Sequence, residues 1–512
     1  MGKGSARSGG KSSESGVTRE STDESYVEPR GPLFRLVLYD GLASEAMGTL
    51  TAGVFLVGFA IELGASNLAI GVLAAVPFFV QLLQLPGVIL VERLRLRRAV
   101  CVWASGIGRC FLLGAAATPL LPPEIAVPAL VAALAIHQGL GAVSGCAWNS
   151  WMRDLVPPAQ YGRFFGRRTA ATTALATALG LLGSIFVEAW KRGEPGRGAL
   201  GYGCLFAVSA LVGLYGVYLL AITPEPAMAP VERRPPVLEL LSRPFRDGNF
   251  RRLIVFLAAW SFAVNLAAPF FTVYMLKTLA YPMTVVMALT IASQLSNLGS
   301  LSLWGALIDR FSNKAVLGVS APLFLACMLA WTVTGQPWLH PFLLPFLALL
   351  HIAMGIATAG VALASSNIAM KLSPEGGATA YLAATGVVTA VCASIAPIIG
   401  GSFSDFFAAH ELAFQFVWKG GGGEVALQVL GFKAWTFFFA FAAIVGLYSL
   451  HRLAGIHEIG AGGDRLMLRD LLLEARRSVH SLSSAAGLLR VARAPLLRLR
   501  SRRAPETAVG PP

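Results

Sequence analysis

Trp304-Gly305-Ala306-Leu307-Ile308-Asp309-Arg310-Phe311-Ser312-Asn313-Lys314 is the stretch that decides how this chain folds. It lies between two long apolar runs, about 283–304 and 315–335. A short turn with one acid and two bases thus joins two segments that can each cross a bilayer. The pattern recurs in weaker form at Val88, Glu92, Arg93, Arg97 and Arg98, again between apolar runs. Glu92 and Asp309 are separated by the same interval as Pro157 and Pro374, in Leu155-Val156-Pro157 and Leu372-Ser373-Pro374. Two echoes in one register predict that the second half repeats the first.

Composition agrees. Hydrophobic residues make up 55% of the chain and charged residues 13%, against about 25% charged in a soluble protein. Ten further apolar runs complete a set of twelve, at about 39–63, 66–91, 99–121, 125–150, 169–190, 200–222, 253–276, 341–366, 379–404 and 432–453. Each has the roughly 20 residues a span needs, and in hydrocarbon the backbone must satisfy itself as helix. The expected fold is an all-α integral membrane protein of twelve transmembrane helices in two six-helix repeats. Residues 35–222 and 251–455 form the two bundles, joined by a cytoplasmic loop at 223–250. A disordered tail precedes them at 1–34, with no signal-peptide pattern, and a basic tail follows at 456–512. Cys101, Cys110, Cys146, Cys204, Cys327 and Cys392 all fall in apolar runs without metal-ligand spacing, so neither a zinc site nor a disulfide framework is expected.

Gly305-Ala306-Leu307-Ile308-Asp309-Arg310, with Lys314, resembles the loop signature of the major facilitator superfamily. That signature is glycine-x-x-x-aspartate-arginine followed by a base, between helices 2 and 3 and, more weakly, between helices 8 and 9. Here the second copy is the better one, because Val88 and Glu92 replace the glycine and aspartate of the first. Asp154 to Gly166 is similar to the superfamily's loop between helices 4 and 5, in the style of uncharacterised bacterial members. Gln138-Gly139-Leu140-Gly141-Ala142 resembles the end of a helix-4 motif of proton-coupled drug antiporters. Ala135 stands where that motif has arginine, and the fifth run lacks its glycine-proline pair. The resemblance implies a monomeric secondary transporter without cofactor or enzymatic activity. It also implies a cytoplasmic gate of Glu92, Arg93, Gly305, Asp309, Arg310 and Lys314. When that side closes, Asp309 would meet Arg163, Arg167 and Arg168 at the start of the fifth helix, and Glu92 the start of the eleventh.

Arginine and lysine crowd the even-numbered loops, which puts both termini in the cytoplasm, and the resemblance to bacterial members implies a bacterial inner membrane. No basic face interleaved with aromatics is present, so nucleic acid is not a partner. In the tail, Leu468, Leu472, Ala475 and Val479 recur at helical spacing against Arg469, Arg476 and Arg477. That pattern suits an amphipathic helix on anionic lipid, and equally a solvated tail.

Ionisable groups inside spans are costly and mark function. Glu45, Asp40, His137 and Arg109 are the candidates for proton coupling, Glu45 first. Arg109 is expected to bind carbonyls or an acid such as Glu45. His351 and Asp405 are the corresponding groups in the second half. Thr49, Gln81, Gln84, Gln138, Trp148, Asn149, Trp260, Asn265, Tyr274, Gln294, Asn297 and Asn367 are the candidates for lining a substrate cavity. Amides pair with hydroxyls and indoles cover apolar faces, so the set suits a small polar organic solute. Efflux of drug-like or siderophore-like compounds is the alternative within this class. A transport-incompetent sensor or interaction protein is the alternative outside it. The absence of a nucleotide-binding loop disfavours a primary pump.

Overall fold

A computed structural model describes residues 32–156, 161–228, 237–374, 378–407, 410, 412–420, 423–432 and 434–458. Most of both expected tails lies outside the described residues, including the candidate amphipathic segment. Among the described residues, twelve helices are long and apolar enough to span a membrane. They are α1 Leu33–Glu62, α2 Asn67–Leu94, α3 Arg97–Leu120, α4 Pro123–Leu155, α5 Phe164–Gly193 and α6 Gly198–Ile222, then α7 Gly248–Thr278, α8 Met283–Arg310, α9 Asn313–Val333, α10 Trp338–Leu372, α11 Ala378–Phe407 and α12 Trp435–Ala454. Each coincides with one apolar run. Several overshoot it by a turn or more, because a helix does not stop where its side chains become charged.

Two features were not expected. Between α11 and α12, β1 Leu412–Gly420 pairs antiparallel with β2 Gly423–Phe432. Residue 432, read as the start of the last span, instead ends β2. The signal was in the sequence: Phe414, Phe416 and Trp418 alternate before a run of glycines, and Val425, Leu427 and Val429 after it. The stretch read as a central loop also contains a helix, Val237–Arg246, which packs on α11 and α7.

The repeat is visible in the packing. In the first half α1 packs on α5 and α6, α2 on α4, and α3 on α4 and α6. In the second half α7 packs on α11 and α12, α8 on α10, and α9 on α10 and α12. The second set is the first moved along by six helices. α1 is interrupted at Ala52, where the backbone is extended, and Gly53 follows at φ 55°, a conformation glycine adopts without strain.

The two bundles meet through α2 on α11 and α5 on α8. Between α2 and α11 the approach is main chain to main chain. A Cβ on Gly71 would strike the Pro397 carbonyl, and one on Gly401 the Asn67 carbonyl. The Asp405 carboxylate accepts the Asn67 N–H at 3.2 Å and the Leu68 N–H at 2.9 Å. It thus caps the start of α2 from the opposite bundle, where helix N–H groups lack intrahelical partners. Nearby, Lys277 Nζ donates to the Ala65 carbonyl at 3.1 Å, and the Thr284 hydroxyl to Glu188 at 2.8 Å. These bonds cluster at one end of the molecule, the joined end. Glu92 and Asp309 lie together at the other end, since α2 and α8 both start at the joined end and run away from it.

At that far end each bundle is tied within itself. Arg97 is 0% exposed, 2.5 Å from Asp154, and donates to the carbonyls of Ser150 at 3.0 Å and Pro226 at 2.7 Å. Lys314 does not reach across to the other bundle. Its ammonium donates to the carbonyls of Ala454 and Ile456 at 2.9 and 2.7 Å, closing the C-terminus of α12. Glu458 accepts the Lys314 N–H at 2.8 Å, Asn313 Nδ2 at 2.9 Å and Lys371 Nζ at 2.9 Å. Burial pushes the Glu458 carboxyl up, but the hydrogen bonds from Lys314, Lys371 and Asn313 outweigh it and hold it below the usual range.

Candidate functional site

The residues expected to line a cavity divide between two. The first cavity, about 460 Å³, lies within the N-terminal bundle. α1 contributes Asp40 and Ser44, α2 Gln81 and Gln84, and α3 Arg109. From α4 come His137, Gln138 and Trp148, and from α5 Arg168. Helical spacing explains the choice: Asp40 and Ser44, like Gln138 and Gly141, fall one turn apart on one face.

Asp40 is 3% exposed and accepts from the Ser44 hydroxyl at 3.5 Å. Arg109, Arg168 and Trp148 lie around it. Arg109 donates from Nη1 to the Gly213 carbonyl and from Nη2 to Ser44 Oγ at 3.2 Å. Its acid neighbour is therefore Asp40, and the expectation that named Glu45 is corrected: Glu45 lines the other cavity. His137 Nδ1 lies 2.9 Å from the Gly108 carbonyl. A carbonyl can only accept, so Nδ1 carries the proton, and in the neutral ring Nε2 is left as an acceptor.

Arg168 was expected at the gate. Its guanidinium instead stacks on the Trp148 ring, 5.0 Å from the centroid, in space that a side chain on Gly41 would fill. Sequence spacing grouped Arg168 with Arg163 and Arg167, and no signal marked which of the three turns inward. Ser105 and Ser144, bonded to each other at 2.7 Å, were also missed, since small hydroxyls in an apolar helix leave no periodic trace.

The second cavity, about 530 Å³, lies between α1, α5 and α8, at the bundle interface. Glu45, Thr49, Thr173, Thr177 and Gln294 line it, beside the interruption of α1 at Ala52 and Gly53.

Other expected cavity residues have different work. Tyr274 is buried in an aromatic cluster with Trp331 and accepts from the Thr334 hydroxyl at 3.1 Å. Trp260 packs edge-on against Phe324. Asn265 donates to the Ser261 carbonyl at 2.8 Å on its own helix, and Asn297 to the Gly355 carbonyl at 3.3 Å, joining α8 to α10. Asn149 is exposed and Asn367 half-buried; neither lines these cavities. His351 bonds the Leu347 carbonyl and packs on Trp331. At the far end Arg93, Arg167 and Asp309 are exposed, Glu92 is half-buried, and Arg310 stacks over Phe311. Gly305 faces open space, and the Arg163 side chain lies outside what is described.

Residues 41–401 match the family model of the Major Facilitator Superfamily. The chain belongs to that superfamily. By family it is a superfamily transporter, and its twelve apolar spans among the described residues make it a multi-pass integral membrane protein. Solved structures of similar fold include a mutant of the nucleoside transporter NupG, with TM-score 0.64 and 13% identity over 83% of this chain and 100% of that one. A D-xylose-proton symporter matches with TM-score 0.58 and 16% identity over 84% and 98%. The inward open xylose transporter XylE from E. coli matches with TM-score 0.55 and 15% identity over 86% and 99%. At such identities the likeness is one of fold. No curated protein matches the sequence.

Proposed function

We propose that this chain moves a small polar organic solute across a bacterial plasma membrane by proton-coupled alternating access, as a monomer with both termini in the cytoplasm. The orientation rests on charge. The far end carries Arg93, Arg95, Arg97, Arg98, Arg153, Arg310, Lys314 and Lys371, and such loops stay inside. On this reading the joined end is the outer face, held by the contacts of Asp405 and Lys277 with α2.

The observation that carries the coupling is Asp40, a carboxylate buried at a polar cavity between two arginines. Ionised, it holds Arg109 and Arg168 toward α1. Protonated, it releases them, so one proton changes how α1, α3 and α5 are held together. Glu45, in the roomier interface cavity, is the second candidate. Asp309 serves the opposite gate: it ends α8, where its own helix dipole disfavours it, and Arg167 at the start of α5 is the base it meets when that end closes.

Asp40→Asn tests the coupling in proteoliposomes. The variant should lose accumulation driven by an imposed proton gradient and keep solute exchange without one. Full gradient-driven accumulation by Asp40→Asn would remove Asp40 from the mechanism.

A further inference from the structure

The first cavity has a charge surplus. Two guanidiniums, Arg109 and Arg168, face one carboxylate, Asp40. They are not equivalent. Arg109 is committed to the Gly213 carbonyl and Ser44. Arg168 rests on the face of Trp148, and its Nε is buried without a hydrogen-bond partner among the described residues. A buried N–H donor left unsatisfied costs free energy that a suitable acceptor recovers. A guanidinium presents its donors as a planar fork that matches the two oxygens of an oxyanion. Stacking on an indole holds that fork in one plane without using any of its donors.

The remaining walls suit the body of such a solute. Gln81, Gln84 and Gln138 offer amides that pair with hydroxyls, and His137 Nε2 adds an acceptor. A volume of about 460 Å³ lies within the range of small-ligand sites.

We propose that the transported solute is an organic oxyanion, a carboxylate or phosphate on a compact hydroxylated body, whose anionic group docks on Arg168 against Trp148. The inference rests on the transporter reading above and narrows its substrate class. It also links cargo to coupling. An oxyanion on Arg168 withdraws positive charge from Asp40, which favours protonation of Asp40, so solute and proton each strengthen the binding of the other.

The test uses the full chain in proteoliposomes, exposed under an inward proton gradient to a complex bacterial metabolite extract. Retained solutes are identified by mass spectrometry against protein-free vesicles, which separates carboxylates from phosphates. The expected result is selective retention of acids by the wild type. For the acid retained, Arg168→Gln should raise KM about ten- to hundredfold, the range carried by one hydrogen bond to a charged group. Arg168→Lys, which keeps the charge, should recover part of the loss and guards against a folding defect. Retention of neutral solutes alone overturns the oxyanion inference and leaves the transporter reading standing. Equal acid uptake by wild type and Arg168→Gln overturns the docking site. No retention above protein-free vesicles overturns the transporter reading, and this inference with it.

Discussion

Replacing Asp405 with asparagine should unfasten the joined end. In the structure its carboxylate takes the Asn67 and Leu68 N–H groups at 3.2 and 2.9 Å, at the positive pole of α2. A hydrogen bond to a charged partner contributes about 1.5–3 kcal/mol and a charge at a helix terminus about 0.3–1 kcal/mol, each at the low end when exposed. Both bonds are exposed, and asparagine keeps one oxygen acceptor, so the loss is about 1–2 kcal/mol. Under the proposed alternating access, that energy would act on the equilibrium between the two facing states, because Asp405 gains only water when the bundles part. The state open at this end should therefore rise about five- to thirtyfold relative to the closed one. Spin labels at Leu120 and Phe342, 77% and 68% exposed at the joined ends of α3 and α10, report the separation of the bundles. Pulsed electron paramagnetic resonance on Asp405→Asn should show a longer-distance population that the wild type lacks. An unchanged distance distribution in a folded variant would refute the latch and leave Asp405 as a solvated acid.

Gly401→Ala should move the same equilibrium by a different route. Its Cβ would meet the Asn67 main chain, so the same label pair should again lengthen with every hydrogen bond donor intact. Arg97→Ala should destabilise the N-terminal bundle by about 1–3 kcal/mol, because the charged hydrogen bonds to Asp154 and to the Ser150 and Pro226 carbonyls are lost while the acids left behind stay partly solvated; thermal unfolding in detergent reads this, and a melting temperature within error of wild type would contradict it. Glu458→Gln should lower stability at neutral pH by about 1–3 kcal/mol through the lost charged hydrogen bonds. The folded carboxyl sits below its ordinary value, so its contribution is present above about pH 4.3 and fades as pH falls further. The gap between variant and wild type should then close on acidification, and a pH-independent gap would point to packing instead.

The twelve spans were legible because hydrocarbon leaves the backbone no alternative to helix, and apolar length alone reports it. The repeat was legible from the echo of Glu92 in Asp309 and of Pro157 in Pro374. The hairpin at 412–432 was passed over because it falls between the last two apolar runs, where glycines break its alternation, and only Phe432 was taken into the final span. Within the spans, the sequence identified which residues are polar and left open which way they face. Gln81, Gln138 and Trp148 converge on the first cavity, whereas Tyr274 and Asn297 serve helix packing. Rotation about a helix axis is set by neighbouring helices, and a helix that is apolar all round carries no stripe to reveal it. Arg168 is the sharpest case. Its inward turn depends on the space left at Gly41, more than a hundred residues away.

The joined end has one further property, visible in which atoms make it. On the α2 side the contacts come from main chain: the Ala65 and Asn67 carbonyls and the Asn67 and Leu68 amides. Main-chain atoms are the same for nearly every residue type, so substitutions at 65, 67 and 68 leave that half of the lock as it is. The adjustable half is Asp405, Lys277 and Gly401, all in the C-terminal bundle, with Gly71 the counterpart facing the Pro397 carbonyl. Mutational drift along the rim of α2 is thus nearly silent for how firmly the two bundles are held at this end. The strength of that junction is set by a handful of positions, most of them in one bundle.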